Sequence, residues 1–233
     1  MGLKGEGVTL VSIVFVNWNC IKDIEKTITQ IETFPSKVDY EYVIIDNGSD
    51  DFLDLCYNKQ LYHRDLRYFR LEENLGYGCA ANIGIILSKG KYVALLNPDL
   101  RPKEGWLDIL VDYLEANPDV GLVAPASNNT CNYNQNLATS TKEIYVEKTV
   151  IPFVCVVIPK RVISDIGFIN HKYGEDVDFC HRVNDSGLKC VVVGKALIEH
   201  FLSVSFVRNG VGMDWDTQVN YVKDVVEPRF LGK

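Results

Sequence analysis

Continuous apolar runs alternate with amphipathic stretches along the first hundred residues of the chain. The runs at 11–16, 42–45 and 92–96 predict strands that are buried on both faces, as in parallel sheets. Isoleucines recur every three or four positions between residues 21 and 33, which predicts a helix with one buried face. This alternation predicts an α/β fold in which helices flank a mainly parallel central sheet.

The same patterns extend through the rest of the chain, but the rhythm changes after residue 99. Further strands are predicted at 66–71, 120–124, 153–158, 188–193 and 196–198, and further helices at 76–87, 106–115, 161–166 and from the loop at 173–174 up to Gly187. The polar stretch at 126–141 has no apolar period and predicts a long loop. The tail from Arg208 is compatible with a final helix or with a loose end.

Polar side chains follow several of the predicted strands. They are Asn17, Asn19, Asp46, Asp99, Glu175, Asp176 and His200. Ligands of open α/β sheets bind at the carboxyl ends of the strands. We therefore expect most of these side chains to gather along one edge of the sheet.

The strand at 92–96 leads through Asn97 and Pro98 to the carboxylate of Asp99. This carboxylate could hold a divalent cation against a phosphate, because hard cations prefer oxygen ligands. The alternative is an ordinary turn, in which Asp99 caps a helix that begins at Pro102. The residues themselves leave both interpretations open.

Asp46 and the glycines at 76 and 78 also allow two interpretations each. Asp46 either caps the next helix or accepts a hydrogen bond from a base N–H. Gly76 and Gly78 either permit a turn into a helix or let backbone amides approach a nucleotide. The surrounding segment matches neither the P-loop nor the strict dinucleotide fingerprint.

The acidic run in the second half raises the same question. Glu175, Asp176 and Asp178 are either acidic residues favoured in a first helical turn or the source of a general base. His200, at the end of a predicted strand, is either a satisfied histidine or a metal ligand.

Composition narrows the class of protein. The chain has 233 residues, of which 47% are hydrophobic and 24% charged, and this predicts a single globular domain over 1–233. A formal net charge of -7 argues against binding to nucleic acid, which requires a basic face. Anionic substrates are still compatible if a metal ion or local cations neutralise them.

The cysteines and the hydropathy favour a cytoplasmic protein. The seven cysteines are scattered without a C-x-x-C pair, so we interpret them as reduced thiols rather than as zinc ligands or disulfides. No window approaches the ~20 apolar residues of a membrane span, and the first residues have no apolar signal core. Peripheral contact with a membrane and a homodimer are both compatible with the sequence.

Taken together and in order, five segments resemble the family 2 glycosyltransferases of GT-A fold. They are 11–19 (VSIVFVNWN), 43–51 (VIIDNGSDD), 73–85 (ENLGYGCAANIGI), 95–99 (LLNPD) and 174–183 (GEDVDFCHRV). The resemblance covers about residues 10 to 206, and its nearest branch is the rhamnosyltransferase-like one.

The resemblance implies an inverting hexosyltransferase of polysaccharide biosynthesis. A Rossmann-like half at 8–99 would bind a UDP- or dTDP-linked sugar, a second half at 100–206 would bind the acceptor, and 207–233 would form a tail. The acceptor would be a hydroxyl of a glycan, a lipid-linked molecule or a protein. A sugar nucleotidyltransferase and a non-catalytic nucleotide- or sugar-binding module are the alternatives.

The resemblance also implies a role for each site residue. Asp46 would hold the nucleobase, Asn17 and Asn19 would line the nucleotide pocket, and Asn74, Gly76 and Asn82 would line the nucleotide and sugar side. Asn97 would stand at the first position of the D-x-D motif, and Asp99 and His200 would bind Mg²⁺ or Mn²⁺. Asp176 would be the general base, with Glu175 beside it. Two departures weaken the phosphate site, since Asn97 replaces an aspartate and Ala81 stands where many relatives have arginine. The Gln-x-x-Arg-Trp motif of processive synthases is absent, which favours transfer of a single sugar.

Overall fold

The computed structural model describes residues 10–50, 65–130, 135, 144–147, 150–171, 173–201, 215–226 and 228, with only the backbone described at 144–147 and 215. The strands are β1 Val11–Asn17, β2 Tyr40–Asn47, β3 Leu66–Leu71, β4 Tyr92–Leu96, β5 Leu100–Pro102, β6 Val120–Ser127, β7 Ile144–Glu147, β8 Cys155–Pro159 and β9 Lys189–His200. The helices are α1 Ile21–Thr33, α2 Tyr77–Leu87, α3 Trp106–Ala116, α4 Lys160–Ile166, α5 Glu175–Asp185 and α6 Trp215–Tyr221, which continues as a π-helical turn over Val222–Val226.

The strands form one sheet in the order β3-β2-β1-β4-β8-β6-β9-β5, with β7 paired to β9. The first four are parallel, which confirms the predicted parallel arrangement for the first half of the chain. The second half is mixed, because β8 runs antiparallel to both of its neighbours while β6 and β9 are parallel.

Helices cover both faces of this sheet, as predicted. On one face, α1 packs on β1 and β5 through residues such as Ile24, and α3 packs on β6, β8 and β9 through residues such as Leu110. On the other face, α2, α4 and α5 pack through residues such as Ile85 and Phe179. These two layers hold the carboxyl ends of β1, β2 and β4 at one edge of the sheet.

Two element boundaries differ from the expectation. Pro102 ends β5 and starts no helix, and α3 begins only at Trp106, after Gly105 with a left-handed φ of 73°. The interpretation of Asp99 as the cap of a helix beginning at Pro102 is therefore wrong. In addition, β9 is one strand of 12 residues, where the sequence predicted two.

The predicted loop at 126–141 is described only in part. Its first residues belong to β6, which extends to Ser127, while 131–134 and 136–143 lie outside the described residues. The final helix of the tail is present as α6, although 208–214 also lie outside the described part. None of the helices that the structure describes is long and apolar enough to cross a membrane.

Candidate active site

Asp46 lies at the carboxyl end of β2 and is fully buried. Its Oδ1 accepts the Ser49 N–H at 3.0 Å and lies 3.5 Å from Asn17 Nδ2. Its Oδ2 accepts Arg70 Nη1–H at 2.6 Å and the Tyr68 hydroxyl. Asp46 is thus a buried carboxylate surrounded by donors. A helix after it, which it could cap, would fall in 51–64, outside the described residues.

Arg70 and Tyr68 were not identified from the sequence. Both lie on β3, where Arg70 is in register with Asp46 and Tyr68 with Ile44. Burial, and then the charge of Asp46, raise the pKa of the Tyr68 phenol well above its usual value, so this hydroxyl remains a donor. Their two-residue spacing was the signal that could have identified them, because alternate residues of a strand lie on the same face of the sheet.

Asn17 and Asn19 tie the end of β1 to the turn after β2. Asn17 Oδ1 accepts the Cys20 N–H at 3.1 Å, and Asn17 Nδ2 donates to Ser49 Oγ at 3.0 Å. Asn19, with a left-handed φ of 54°, accepts the Asp50 N–H at 2.7 Å. Both side chains therefore fix the backbone of the two turns beside Asp46.

The turn before α2 is organised by a pair of asparagines. Asn47 Nδ2 donates to Asn74 Oδ1 at 2.9 Å, and the same oxygen accepts the Gly76 N–H at 2.8 Å. Gly76 has a φ of 86°, a conformation that a side chain would strain. A Cβ at Gly48 would lie 2.5 Å from the carbonyl carbon of Glu73, so the two turns pack backbone against backbone.

Asn82 faces the loop before α5. Its Nδ2 donates to the Ile169 carbonyl at 2.8 Å, and its Oδ1 accepts the Ile169 N–H at 3.0 Å. Both ends of the amide are therefore engaged by the backbone of one residue. The geometry supports a role in holding this loop, and a direct contact to nucleotide or sugar stays a prediction.

Asp99 and His200 meet at the start of the β5–β9 ribbon. Leu100 is in register with His200, and the Phe201 N–H donates to the Asp99 carbonyl at 3.1 Å. Both side chains are buried, and Asp99 Oδ1 lies 3.4 Å from His200 Nε2. The structure thus brings together the two predicted metal ligands, which are about a hundred residues apart in sequence.

Two asparagines orient the His200 imidazole. The Asn129 carbonyl lies 2.8 Å from His200 Nδ1, and the Asn128 side chain accepts the His200 N–H at 2.7 Å. A carbonyl only accepts hydrogen bonds, so Nδ1 carries a proton, and in the neutral imidazole Nε2 presents its lone pair. These partners were missed because they come from the stretch that the sequence predicted only as a loop.

The donor set fits a hard divalent cation. His200 Nε2 is buried and has no hydrogen-bond partner among the described residues. Its 3.4 Å separation from Asp99 Oδ1 is close to the ~3 Å between adjacent ligands of an octahedral cation with bonds of about 2.1 Å. Burial lowers the pKa of His200, but Asp99 and the Asn129 carbonyl together raise it above the usual value. A cation must therefore displace a proton at low pH.

Across the described residues, no cluster of three or more His, Cys, Asp or Glu side chains is arranged to hold a metal. Asn97 is half-buried, and its N–H donates to the Val154 carbonyl at 2.9 Å. At this position the described residues therefore offer one carboxylate and one imidazole.

Glu175 and Asp176 begin α5 directly after Gly174, which has a left-handed φ of 67°. Both carboxylates are half-buried. Burial, and then the charge of Asp176, raise the pKa of Glu175 to about 7; burial also raises the pKa of Asp176. The Val177 N–H donates to Asp176 Oδ1 at 2.8 Å and partly offsets this effect. These two residues suit proton transfer near neutral pH.

Tyr77 connects the acidic pair to the start of α2. It is the first residue of α2, and burial, then the charges of Glu175 and Asp176, raise its pKa well above the usual value. Cys155 contributes to the same shift and is in register with Leu96 at the end of β4. The predicted site residues therefore lie around one edge of the sheet.

Asp178, the third acidic residue, has a different role from its neighbours. Its Oδ2 accepts Arg182 Nε–H at 2.7 Å, and Arg182 also donates to the carbonyls of Ile166 and Phe168. This buried ion pair joins α5 to the loop that precedes it.

The raised pKa of Glu175 leads to a stability prediction. We expect Glu175→Gln to increase the free energy of unfolding by about 1 to 2 kcal/mol at pH 8 and to change it little at pH 4, allowing for partial exposure. Between the ordinary pKa of 4.5 and the folded value of about 7, the folded state retains a proton that the unfolded state has lost. Stability therefore falls as the pH rises through this window, and glutamine removes the loss.

Denaturant unfolding at pH 4, 6 and 8 measures this difference. Glu72→Gln, which changes an exposed carboxylate, is the control and should behave like the wild type at each pH. An equal effect of Glu175→Gln at pH 4 and pH 8 would contradict the assigned pKa.

A parallel first half joined to a mixed second half, with a carboxylate and a histidine at the sheet edge, has the architecture of the GT-A fold. The model of the family "Glycosyl transferase family 2" matches residues 12–162, and the chain belongs to this family. The rhamnosyltransferase-like branch stays a prediction.

Curated relatives support the class. The chain is 27% identical over 180 residues to the pre-mycofactocin glycosyltransferase of Mycobacterium tuberculosis, a match over 68% of this chain and 37% of that protein. It is 29% identical over 195 residues to the glycosyltransferase AglE of Haloferax volcanii, over 76% of this chain and 62% of AglE. The chain thus spans less than two thirds of each of these relatives.

Solved structures show the same fold at low identity. The mannosyltransferase PcManGT from Pyrobaculum calidifontis, in complex with GDP-Man and Mn²⁺, superposes with a TM-score of 0.69 at 17% identity, over 83% of this chain and 57% of that one. GalNAc-T7 with UDP, GalNAc and Mn²⁺ gives 0.68 at 16% identity, over 84% of this chain and 44% of that one.

Proposed function

We propose that this protein is an inverting, metal-dependent glycosyltransferase that moves one hexose from a UDP- or dTDP-linked sugar to an acceptor hydroxyl. The observation that carries the proposal is the buried Asp99–His200 pair, in which Nε2 lies 3.4 Å from a carboxylate oxygen at the sheet edge that also bears Asp46. Membership of the family favours this reaction over nucleotidyl transfer. A cytoplasmic location and a glycan, lipid-linked or protein-borne acceptor complete the proposal.

The surroundings of Asp46 favour uracil or thymine. Asp46 Oδ2 is an acceptor with two donors beside it, Arg70 and Tyr68. The N3 edge of uracil and thymine presents acceptor, donor and acceptor in turn, whereas guanine presents one acceptor followed by two donors. The Arg70 side chain is 36% exposed and so is accessible to a ligand. A base N–H would take the place of the Tyr68 hydroxyl on the carboxylate.

Asp99 and His200 would hold Mg²⁺ or Mn²⁺ against the donor diphosphate. Bound there, the cation supplies Lewis-acid stabilisation of the charge that develops on the leaving diphosphate. Asp99 contributes a negative charge and His200 a neutral nitrogen, and Asn128 and Asn129 keep the imidazole oriented.

Asp176 would take the proton from the acceptor hydroxyl as that oxygen attacks the sugar from the face opposite the leaving group. Its raised pKa makes it a stronger base than a solvated aspartate. Glu175, with a pKa of about 7, remains partly protonated at neutral pH and can donate a hydrogen bond to the acceptor.

A calorimetric titration tests the donor assignment. In the presence of Mn²⁺ we expect UDP and dTDP to bind about tenfold or more tightly than GDP, because mismatched polar groups in a buried site lose hydrogen bonds. Arg70→Lys should weaken UDP binding by about tenfold, since lysine keeps the charge but loses the guanidinium geometry.

Arg67→Lys is the matched control on the same strand. Arg67 pairs with Glu41, away from Asp46, and its substitution should leave UDP affinity unchanged. Absence of binding by UDP, dTDP and GDP would overturn the proposed function. A screen of nucleotide-sugars for slow hydrolysis, followed by identification of the product anomer, then names the sugar and tests inversion.

A further inference from the structure

The C-terminal helical segment packs against the start of α5. The Tyr221 hydroxyl lies 3.2 Å from His171 Nδ1, and the Tyr221 ring makes edge contacts with the rings of His171 and Tyr173, at centroid distances of 6.0 and 5.9 Å. Val226, in the π-helical turn that follows, is fully buried. The segment is therefore anchored on the loop that leads into Glu175 and Asp176.

Gly174 is the point of closest approach. It is the N-cap of α5, has a φ of 67°, and a Cβ placed on it would lie 2.5 Å from Val222 Cγ2. The backbone that immediately precedes Glu175 thus packs under Val222 with no room for a side chain. The position of Val222 consequently limits where α5 can begin.

Tyr221 also reaches α5 through His171. His171 Nε2 lies 3.4 Å from Asp178 Oδ1, and Asp178 is one turn into α5, where its N–H donates to the Gly174 carbonyl at 3.0 Å. A carboxylate accepts, so the proton of the neutral imidazole is on Nε2 and Nδ1 accepts the Tyr221 O–H. Polar contacts therefore run from Tyr221 through His171 to Asp178, in the first turn of α5.

The loop at 166–171 is held from two other sides. Asn82 on α2 binds both backbone groups of Ile169, and Arg182 on α5 binds the carbonyls of Ile166 and Phe168. His171 itself has a left-handed φ of 71°, a conformation that needs support from its surroundings in a residue other than glycine. Tyr221 supplies a contact to this residue from outside α2 and α5.

We propose that the C-terminal helical segment is part of the catalytic unit and that Tyr221 is a positioning residue that places Asp176 and Glu175 through His171 and Gly174. This inference rests on the proposed function, because it assigns to Tyr221 an effect on the proton-transfer step. Small displacements of a general base reduce turnover strongly. The described contacts of Asp46 include no residue of this segment.

Tyr221→Phe removes the hydroxyl and retains the ring. We expect kcat to fall about three- to tenfold, with the UDP dissociation constant and the midpoint of thermal unfolding close to wild type. Tyr221→Ala should reduce kcat by up to about a hundredfold. Val219→Ala, a change at a 43% exposed residue of the same helix, is the matched control and should leave all three quantities unchanged.

A second pair of variants tests the contact at Gly174 by rescue. Gly174→Ala should lower kcat, because the new methyl group meets Val222, and adding Val222→Ala should restore part of the loss. Hydrogen exchange of the amides at 173–178 should become faster in Tyr221→Phe. This readout is independent of turnover.

The outcomes separate the two proposals. If the wild type binds no nucleotide and transfers no sugar, the proposed function fails. If the wild type is active and Tyr221→Phe matches it in kcat and in exchange, the positioning role is wrong. Parallel losses of kcat, UDP affinity and thermal stability would show that Tyr221 is structural only.

Discussion

Asp176→Asn is expected to reduce sugar transfer by about 10² to 10⁴-fold while UDP affinity stays within about twofold of the wild type. Asparagine has nearly the same shape but cannot accept a proton from the acceptor hydroxyl. Asp176 lies in the first turn of α5, and the described contacts of Asp46 do not include it. The two effects should therefore separate.

Initial rates with the donor found by the hydrolysis screen measure this change, and calorimetry measures UDP binding. Asp185→Asn, at the exposed last position of the same helix, is the control and should retain full activity. Near-normal turnover of Asp176→Asn would remove this residue from the base role. Glu175→Gln in the same assay distinguishes the two carboxylates, because a residue that only binds the acceptor should alter the acceptor KM more than kcat.

The first half of the fold was predictable because its strands are short, apolar and buried on both faces. β1 and β2 lie between parallel neighbours, and β4 lies between the parallel β1 and the antiparallel β8, so nearly every residue of these three strands is covered and the apolar runs are continuous. Each is followed by a helix or turn whose glycines and amphipathic spacing also show in the sequence. In the first half of the chain, the local sequence pattern therefore predicts the same strands and helices that the sheet topology requires.

The secondary structure of the second half of the fold depends on contacts between residues far apart in the sequence. Pro102 resembles a helix start, but β5 is the last strand of the sheet order, where a residue without an N–H is tolerated. The polar residue Lys195 interrupts the apolar pattern within β9, so the sequence predicted two strands there. Pairing with β6, β7 and β5 on either side of this exposed residue keeps β9 a single strand. Neither the edge position of β5 nor the pairing of β9 can be derived from residues adjacent in the sequence.

In the candidate site, too, some residues could be predicted from the sequence and others could not. Asp46, Asp99 and Glu175–Asp176 stand at strand or helix ends within recognisable motifs, so the sequence marked them. The groups that orient them come from distant segments: Arg70 is 24 residues from Asp46, and Asn129 is 71 residues from His200. Such partners depend on strand register and loop packing, which a single sequence does not specify.

Asp99→Ala and His200→Gln are each expected to abolish the part of UDP affinity that depends on Mn²⁺, a loss on the order of tenfold to a hundredfold. With only one carboxylate and one imidazole among the described donors, neither residue has a substitute when the other is removed. The described contacts of Asp46 involve neither residue, so uridine, which has no phosphate, should bind as it does to the wild type.

Calorimetry with UDP and uridine, in Mn²⁺ and in EDTA, resolves these contributions. Both variants in Mn²⁺ should behave like the wild type in EDTA, and Asp112→Ala, at an exposed carboxylate of α3, should behave like the wild type throughout. An unchanged Mn²⁺ effect in Asp99→Ala would return this residue to a purely structural role in the turn before β5. A uniform loss for UDP and uridine would instead indicate damage to the base pocket, since a cation held by Asp99 and His200 stabilises only the phosphate-bearing ligand.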